Sequence, residues 1–268
     1  MRFENKTNMK YITLVLSPEK FVERREHMSQ MLNQSSIKFE FVAIDDDTVL
    51  TPESIEQIHD KQRTIDSFGR DLTRGELAST LNHLLAYRKF LDSEVELALI
   101  LEDDANFDTS RFGHMVDIIA KEIDTEDPQV YLLTPVTSYL NHNAKPLCDD
   151  FKIVKVVCAW GAGYFINRAA AEKILDINDK SWIICDDWVK YNKYGNINIM
   201  AVVPPIVRPN PALESNLLVD YQNAAKQKVF KQRTFKYTVS RNKDKLLADL
   251  KKYLWLIPFR GFVRNKKN

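Results

Sequence analysis

The sequence predicts an α/β domain, a mostly parallel sheet with helices on both faces, followed by a basic helical tail. Short apolar runs of strand length alternate with stretches of helical spacing from Tyr11 to Val203. One of them, Val95 to Leu101, is largely apolar, as expected of a strand covered on both faces. With 268 residues, 44% of them hydrophobic, the chain has ample material for a buried core. Only 7 glycines argue against collagen-like, linker-rich and glycine-loop architectures, and neither a dinucleotide fingerprint nor a phosphate-loop motif occurs.

In chain order, Tyr11 to Leu16 is a compact apolar run, and Pro18 precedes a helical stretch to about Asn33. Phe39 to Ile44 is the second strand, ending in Asp45, Asp46 and Asp47. Leu77, Leu81, Leu84, Leu85 and Leu91 give Thr73 to Leu91 helical spacing. Arg111 to Glu122 reads as helix, Val130 to Leu133 as strand, and Lys152 to Val157 and Tyr164 to Ile166 as further strands. Arg168 to Leu175 reads as helix and Met200 to Val203 as the last strand before Pro204 and Pro205. In such sheets ligands bind beyond the carboxyl ends of the strands.

The 38 Lys and Arg against 37 Asp and Glu leave a formal charge of +1, which excludes a generally basic nucleic-acid binder and an acidic disordered chain. The balance is a cancellation. Residues 226–268 hold 14 of the bases and 2 of the acids, a net of +12; residues 1–225 keep 24 bases and 35 acids, a net of −11. The chain therefore divides into a body, 1–225, and a basic tail, 226–268. Leu246, Leu250, Tyr253, Leu254 and Ile257 fall on one helical face, with Lys245 and Lys252 away from it. Such a segment suits an anionic membrane surface, where each basic residue contributes about 1 kcal/mol; packing on the acidic body is the alternative. Nucleic acid is not an expected partner, because the body lacks a reading module and would repel phosphate. Cys148, Cys158 and Cys185 are odd in number and irregularly spaced, which suits a reducing compartment. No signal-peptide pattern or 18-residue apolar run occurs, so the expected location is cytoplasmic, peripheral on the inner face of the cytoplasmic membrane.

Chemistry concentrates where Leu97-Ala-Leu-Ile-Leu runs into Glu102-Asp103-Asp104. In extended chain Glu102 and Asp104 share a face and Asp103 points the other way. Paired carboxylates repel unless a cation lies between them, and hard oxygen ligands suit Mg²⁺ or Mn²⁺; acid runs after strands also serve simply to cap the next helix. In the preceding helix Thr73-x-x-Glu76 has the form of a capping box. Glu76, Ser79, Thr80, His83 and Tyr87 nonetheless form a polar stripe on an otherwise apolar helix, which packing alone does not require.

Leu72-Thr-Arg-Gly-Glu-Leu77, Asn82-His83 and Ala98-Leu-Ile-Leu-Glu-Asp-Asp-Ala105 together resemble glycosyltransferase family 25. So do Phe41-Val-Ala-Ile-Asp45, Gly161 through Ala170, Asp186-Asp187-Trp188 and Val203-Pro-Pro-Ile206, so that the resemblance spans roughly residues 9–216 and leaves the tail outside. Asn82 stands where the family usually has Ser, Ser79 where it has Cys, and Thr13-Leu-Val-Leu-Ser17 lacks the customary Asn. The resemblance implies a GT-A-like, Rossmann-like fold and a metal-dependent inverting transferase that moves galactose from UDP-galactose to a lipooligosaccharide or other surface glycan. It implies Asp104 as the metal ligand, with Glu102 ordering the site. On the donor side stand Asp103 near the ribose, Asp45 at the nucleoside, Arg24 or Arg25 at uracil or phosphate, and Glu76 and His83 from the helix stripe. Asp186 or Asp187 is the base, Asp187 preferred beside Trp188, whose ring would stack on a sugar; the alternative is that Asp187 caps a helix over Trp188 to Tyr194. A non-catalytic, membrane-docked assembly protein is the competing class, and a nucleotidyltransferase would need a phosphate-cradling loop that the body lacks.

Overall fold

The apolar run ending at Glu102 lies within a nine-stranded sheet. In the computed structural model the described residues are 11–44, 46–159, 161, 163–213, 237–239, 246 and 262–264. The elements are β1 (Tyr11–Leu16), α1 (Val22–Gln34), β2 (Glu40–Val42), α2 (Asp46–Val49), α3 (Pro52–Ile58), α4 (Lys61–Phe68), α5 (Arg74–Leu91), β3 (Leu97–Glu102), β4 (Ala105–Asn106), α6 (Thr109–Ala120), β5 (Gln129–Leu132), β6 (Val136–Cys148), β7 (Phe151–Ala159), β8 (Gly163–Asn167), α7 (Arg168–Ile177), α8 (Trp188–Gly195), β9 (Asn198–Val203), β10 (Arg208–Pro209) and β11 (Phe262–Arg264).

The sheet order is β11-β6-β7-β9-β5-β8-β3-β1-β2, and β4 and β10 form a separate ribbon. β1, β2, β3, β5, β6 and β9 run one way and β7, β8 and β11 the other, so most strands share a direction although the sheet is mixed. Side-chain alternation divides the core in two. Leu14, Ala98, Ile100, Leu132 and Tyr164 meet α5, α7 and α8 on one face. Val15, Leu97, Leu99, Leu101 and Phe165 meet α1 and α6 on the other. Helices thus cover both faces, as the continuous apolar character of β3 requires.

The structure adds elements that the periodicity does not announce. The segment between β2 and α5 folds as α2, α3 and α4, and β6 forms a long hairpin with β7. In the tail, Leu246 is helical and exposed, and residues 262–264 pair as β11 against β6. The rest of the amphipathic face and the boundary at residue 225 lie outside the described residues. Among the described residues no helix is long and apolar enough to cross a membrane.

Asn167 ties the sheet to the helical layer. Fully buried, it accepts from the Ala170 and Gln129 amides and donates to the carbonyls of Asp124 and Asp127. Asn167→Ala removes a helix cap and orphans buried backbone groups, a cost of about 3 kcal/mol. Thermal denaturation should show Tm lower by roughly 6–12 °C; a change within about 2 °C would contradict this role.

Candidate active site

Parallel pairing sets Leu16 of β1 level with Glu102 of β3, which brings Ser17 beside the acidic motif. Asp103 points toward α1, as alternation predicts, and is buried. Ser17 Oγ donates to its Oδ2 at 2.9 Å, and Arg24 Nη1 reaches its Oδ1 at 2.8 Å. Asp103 is therefore paired within the fold and ties the acidic motif to β1 and α1. Arg24, not Arg25, is the arginine at this site; Arg25 places its guanidinium 4.2 Å from the centroid of the Phe41 ring. Asp45 lies outside the described residues.

Glu102 faces α5, with 31% of its side chain exposed and Oε1 3.5 Å from His83 Nε2. His83 is buried, its Nδ1 2.6 Å from the Tyr164 hydroxyl, and Tyr164 in turn bonds the Tyr87 hydroxyl. Burial pushes the imidazole down to about 4, with Asp186 acting in the opposite sense. His83 Nε2 has no hydrogen-bond partner.

The polar stripe of α5 fastens the loop that carries Asp186. Thr80 Oγ1 donates to the Glu76 carbonyl and accepts from the Cys185 amide, while Ser79 Oγ lies 3.3 Å from Cys185 Sγ. Glu76 completes the capping box: Thr73 N donates to its Oε2 at 2.8 Å and Arg70 grips both oxygens at 2.6 and 2.7 Å. At 2% exposure it secures the helix start. Asp187 caps α8, accepting from Lys190 N at 3.1 Å and Lys190 Nζ at 2.6 Å. Trp188 is 1% exposed and meets Tyr164 edge-on at 4.8 Å, so its ring is core packing and offers no face to a sugar.

The carboxylates left without such partners crowd together electrostatically. Burial first, then Asp103, pushes Glu102 up to about 7 against the pull of Arg24. Burial, Glu102 and Asp103 raise Asp104 to about 6. Burial, Glu102 and Asp187 raise Asp186 to about 6, against His83. Like charges gathered in a desolvated place favour protons or a cation.

A family model described as glycosyltransferase family 25 (LPS biosynthesis protein) matches residues 11–189. The chain belongs to glycosyltransferase family 25. It is 24% identical over 191 residues to procollagen galactosyltransferase 1 of Danio rerio, covering 68% of this chain and 32% of that protein. It is 26% identical over 188 residues to procollagen galactosyltransferase 2 of Homo sapiens, covering 64% and 29%. The chain thus spans about a third of the length of these curated relatives. Among solved structures it is similar to mannose-1-phosphate geranyltransferase from Thermus thermophilus, with a TM-score of 0.36, 12% identity and 72% and 74% coverage of the two chains. It is also similar to a glycosyltransferase involved in glycosylation of the major capsid of PBCV-1, with a TM-score of 0.32, 13% identity and 80% and 98% coverage. Those two likenesses are too distant to bear on the site.

Among the described residues no three His, Cys, Asp or Glu side chains form a ready-made metal cage. A cation shared with a diphosphate needs less, one or two carboxylates plus phosphate oxygens and water. Asp104 fits that demand, since its Oδ1 is buried without a hydrogen-bond partner. The sequence reading missed Tyr164; the signal was a hydroxyl inside an otherwise apolar strand. It also missed the role of Ser17, whose signal was its place at the carboxyl end of the strand next to β3.

Because the folded-state value of Glu102 lies above its ordinary 4.5, the folded protein holds this proton more tightly than the unfolded chain. That stabilisation is complete below about pH 4.5 and lost as the pH rises through about 7. Glu102→Gln should therefore raise Tm at pH 8 by about 3 °C, after allowance for solvent screening, and leave it unchanged at pH 4. Equal Tm values at both pH values would contradict the crowding of these acids.

Proposed function

We propose that this chain is a metal-dependent inverting glycosyltransferase that moves galactose from UDP-galactose to a lipooligosaccharide or other surface glycan. Family membership supports the reaction class, and the names of the galactosyltransferase relatives support the sugar. The observation that carries the reading is Glu102 at the carboxyl end of β3, beside His83 and next to Asp104 with its unpartnered Oδ1, its charge raising the carboxyls of both Asp104 and Asp186.

Asp104, with Glu102 beside it, would hold Mn²⁺ or Mg²⁺, which when bound supplies charge neutralisation to the leaving diphosphate. Asp103, locked by Ser17 and Arg24, keeps those two carboxylates in position. Asp186 is the general base: it takes the proton of the acceptor hydroxyl as that oxygen bonds the sugar carbon and the bond to the diphosphate breaks. Its value near 6 leaves it ionised yet basic at neutral pH. Asp187, engaged by Lys190, keeps the start of α8 in place. His83 backs Glu102 from the apolar side and is itself held by Tyr164.

Release of UDP from UDP-galactose is the test. Asp104→Ala should lower Mn²⁺-dependent release about 100-fold or more, and near-normal release would remove the metal assignment. Asp186→Asn should retain UDP binding while losing about 10²–10⁴ in transfer, with Asp187→Asn close to the parent rate. The reverse pattern would make Asp187 the base.

The tail is assigned to an anionic membrane surface on the strength of its net +12. Because β11 belongs to the sheet, the cleaner test keeps the tail and removes charge: Lys251, Lys252, Lys266 and Lys267 changed to Gln should abolish flotation with anionic vesicles. Unchanged flotation would overturn the assignment.

A further inference from the structure

Beyond the acidic motif the chain turns into β4, which pairs antiparallel with β10 as a two-stranded ribbon. The ribbon is tied to the site, since Asn210 N donates to the Asp104 carbonyl at 2.7 Å. Asn106, two residues past Asp104, and Arg208 are Cα partners across this ribbon and line a separate cavity of about 450 Å³. That volume suits a small ligand such as one or two sugar units. Its apolar surface comes from Phe112, Met115, Phe151 and Ile206.

Two arginines, Arg111 and Arg208, line this cavity on a body of net −11. Arg208 is exposed. Arg111 makes a 3.1 Å surface pair with the exposed Asp149 and lies 5.9 Å from the centroid of the Phe151 ring. Surface pairs of that kind hold little energy, so an incoming anion displaces Asp149 at small cost. Among the described residues of the lining the one acid is Asp108, and it turns its Oδ1 to the start of α6, accepting from the Ser110 amide at 3.0 Å and the Ser110 hydroxyl at 2.6 Å. Arg208 and Arg111 thus stand at the rim above Phe151, with Asp108 and Asp149 as exposed acids beside Arg111, and Arg208 is the cation for which no acidic partner is seen among the described residues.

We propose that this cavity is an acceptor subsite for an anionic sugar unit. The carboxylate or phosphate of the unit would meet the forks of Arg208 and Arg111, its C–H face would lie against Phe151, and Asn106 would bond a ring hydroxyl. The assignment rests on the glycosyl-transfer reading for what the sugar belongs to, but binding in the cavity requires neither donor nor metal. An acceptor chain crossing the ribbon would then bring its next unit toward Asp104 at the end of β3.

The test is direct titration of the full chain, without donor or metal, against glucuronic acid, glucose 6-phosphate, neutral glucose and inorganic phosphate, followed by NMR or calorimetry. At least one acidic sugar should bind at least tenfold more tightly than glucose and than phosphate alone. Whichever of the two does so identifies the anion as carboxylate or phosphate. Arg208→Ala and Arg111→Ala, both changes of exposed side chains, should each weaken that binding by tenfold or more. Equal affinity for acidic and neutral sugars, equal affinity for phosphate alone, or undiminished binding by both variants would overturn the proposal. Failure here leaves UDP release from UDP-galactose untouched. Loss of that activity in the Asp104 variant leaves acidic-sugar binding untouched, so the two readings fail separately.

Discussion

The site depends on a repulsion that the fold refuses to relax. Glu102, Asp104 and Asp186 come from two separate segments, yet each raises or is raised by a neighbour's charge and by desolvation. Unpaired buried charge is costly, and native proteins usually remove it by pairing. Here the pairing is selective: Arg24 and Ser17 take Asp103, Arg70 takes Glu76 and Lys190 takes Asp187. The carboxylates left over are those that a diphosphate-bound cation and a proton acceptor would need.

The framework that enforces this arrangement is polar as well as apolar. One face of α5 packs on the sheet through Leu77, Leu81 and Leu84, while its stripe reaches the Cys185 loop through Ser79 and Thr80 and the sheet through His83 and Tyr87. The stripe therefore explains why Asp186 stays near Glu102 although 83 residues separate them in the chain. Buried networks of this type fix one arrangement when every member is satisfied. His83 Nε2 and Asp104 Oδ1, at the acidic centre, are among the buried polar atoms of the described residues that lack a hydrogen-bond partner.

Much of this was legible in the sequence. The apolar character of Leu97 to Leu101 located β3, and strand alternation set Asp103 on the opposite side from Glu102, whereas Asp103 and Asp104 themselves lie in the turn between β3 and β4, where alternation no longer applies. The capping box at Thr73 and the cap at Asp187 were read as alternatives and are present, since capping depends only on neighbours within a turn. Choices between adjacent residues were harder. Arg24 and Arg25 differ by about 100° around α1, and only the packing of that helix decides which one faces Asp103. Trp188 looked like a sugar platform because tertiary burial leaves no trace in its local sequence. The hairpin partner β6 was hidden by its polar edge residues, among them Asn141, His142 and Lys145.

A cation held by Asp104 and Glu102 has to displace the protons that burial keeps on them, so proton release is the deciding measurement. Mn²⁺ binding is measured at pH 6.5 by calorimetry in buffers of different ionisation enthalpy, in the presence of UDP-galactose without acceptor, because its diphosphate, unlike the terminal phosphate of UDP, does not titrate near neutral pH. Binding should expel protons from Glu102 and Asp104, with release declining toward zero by pH 8.5 as the free protein loses them. Mn²⁺ binding with no proton release at pH 6.5, or no binding at either pH, would contradict it.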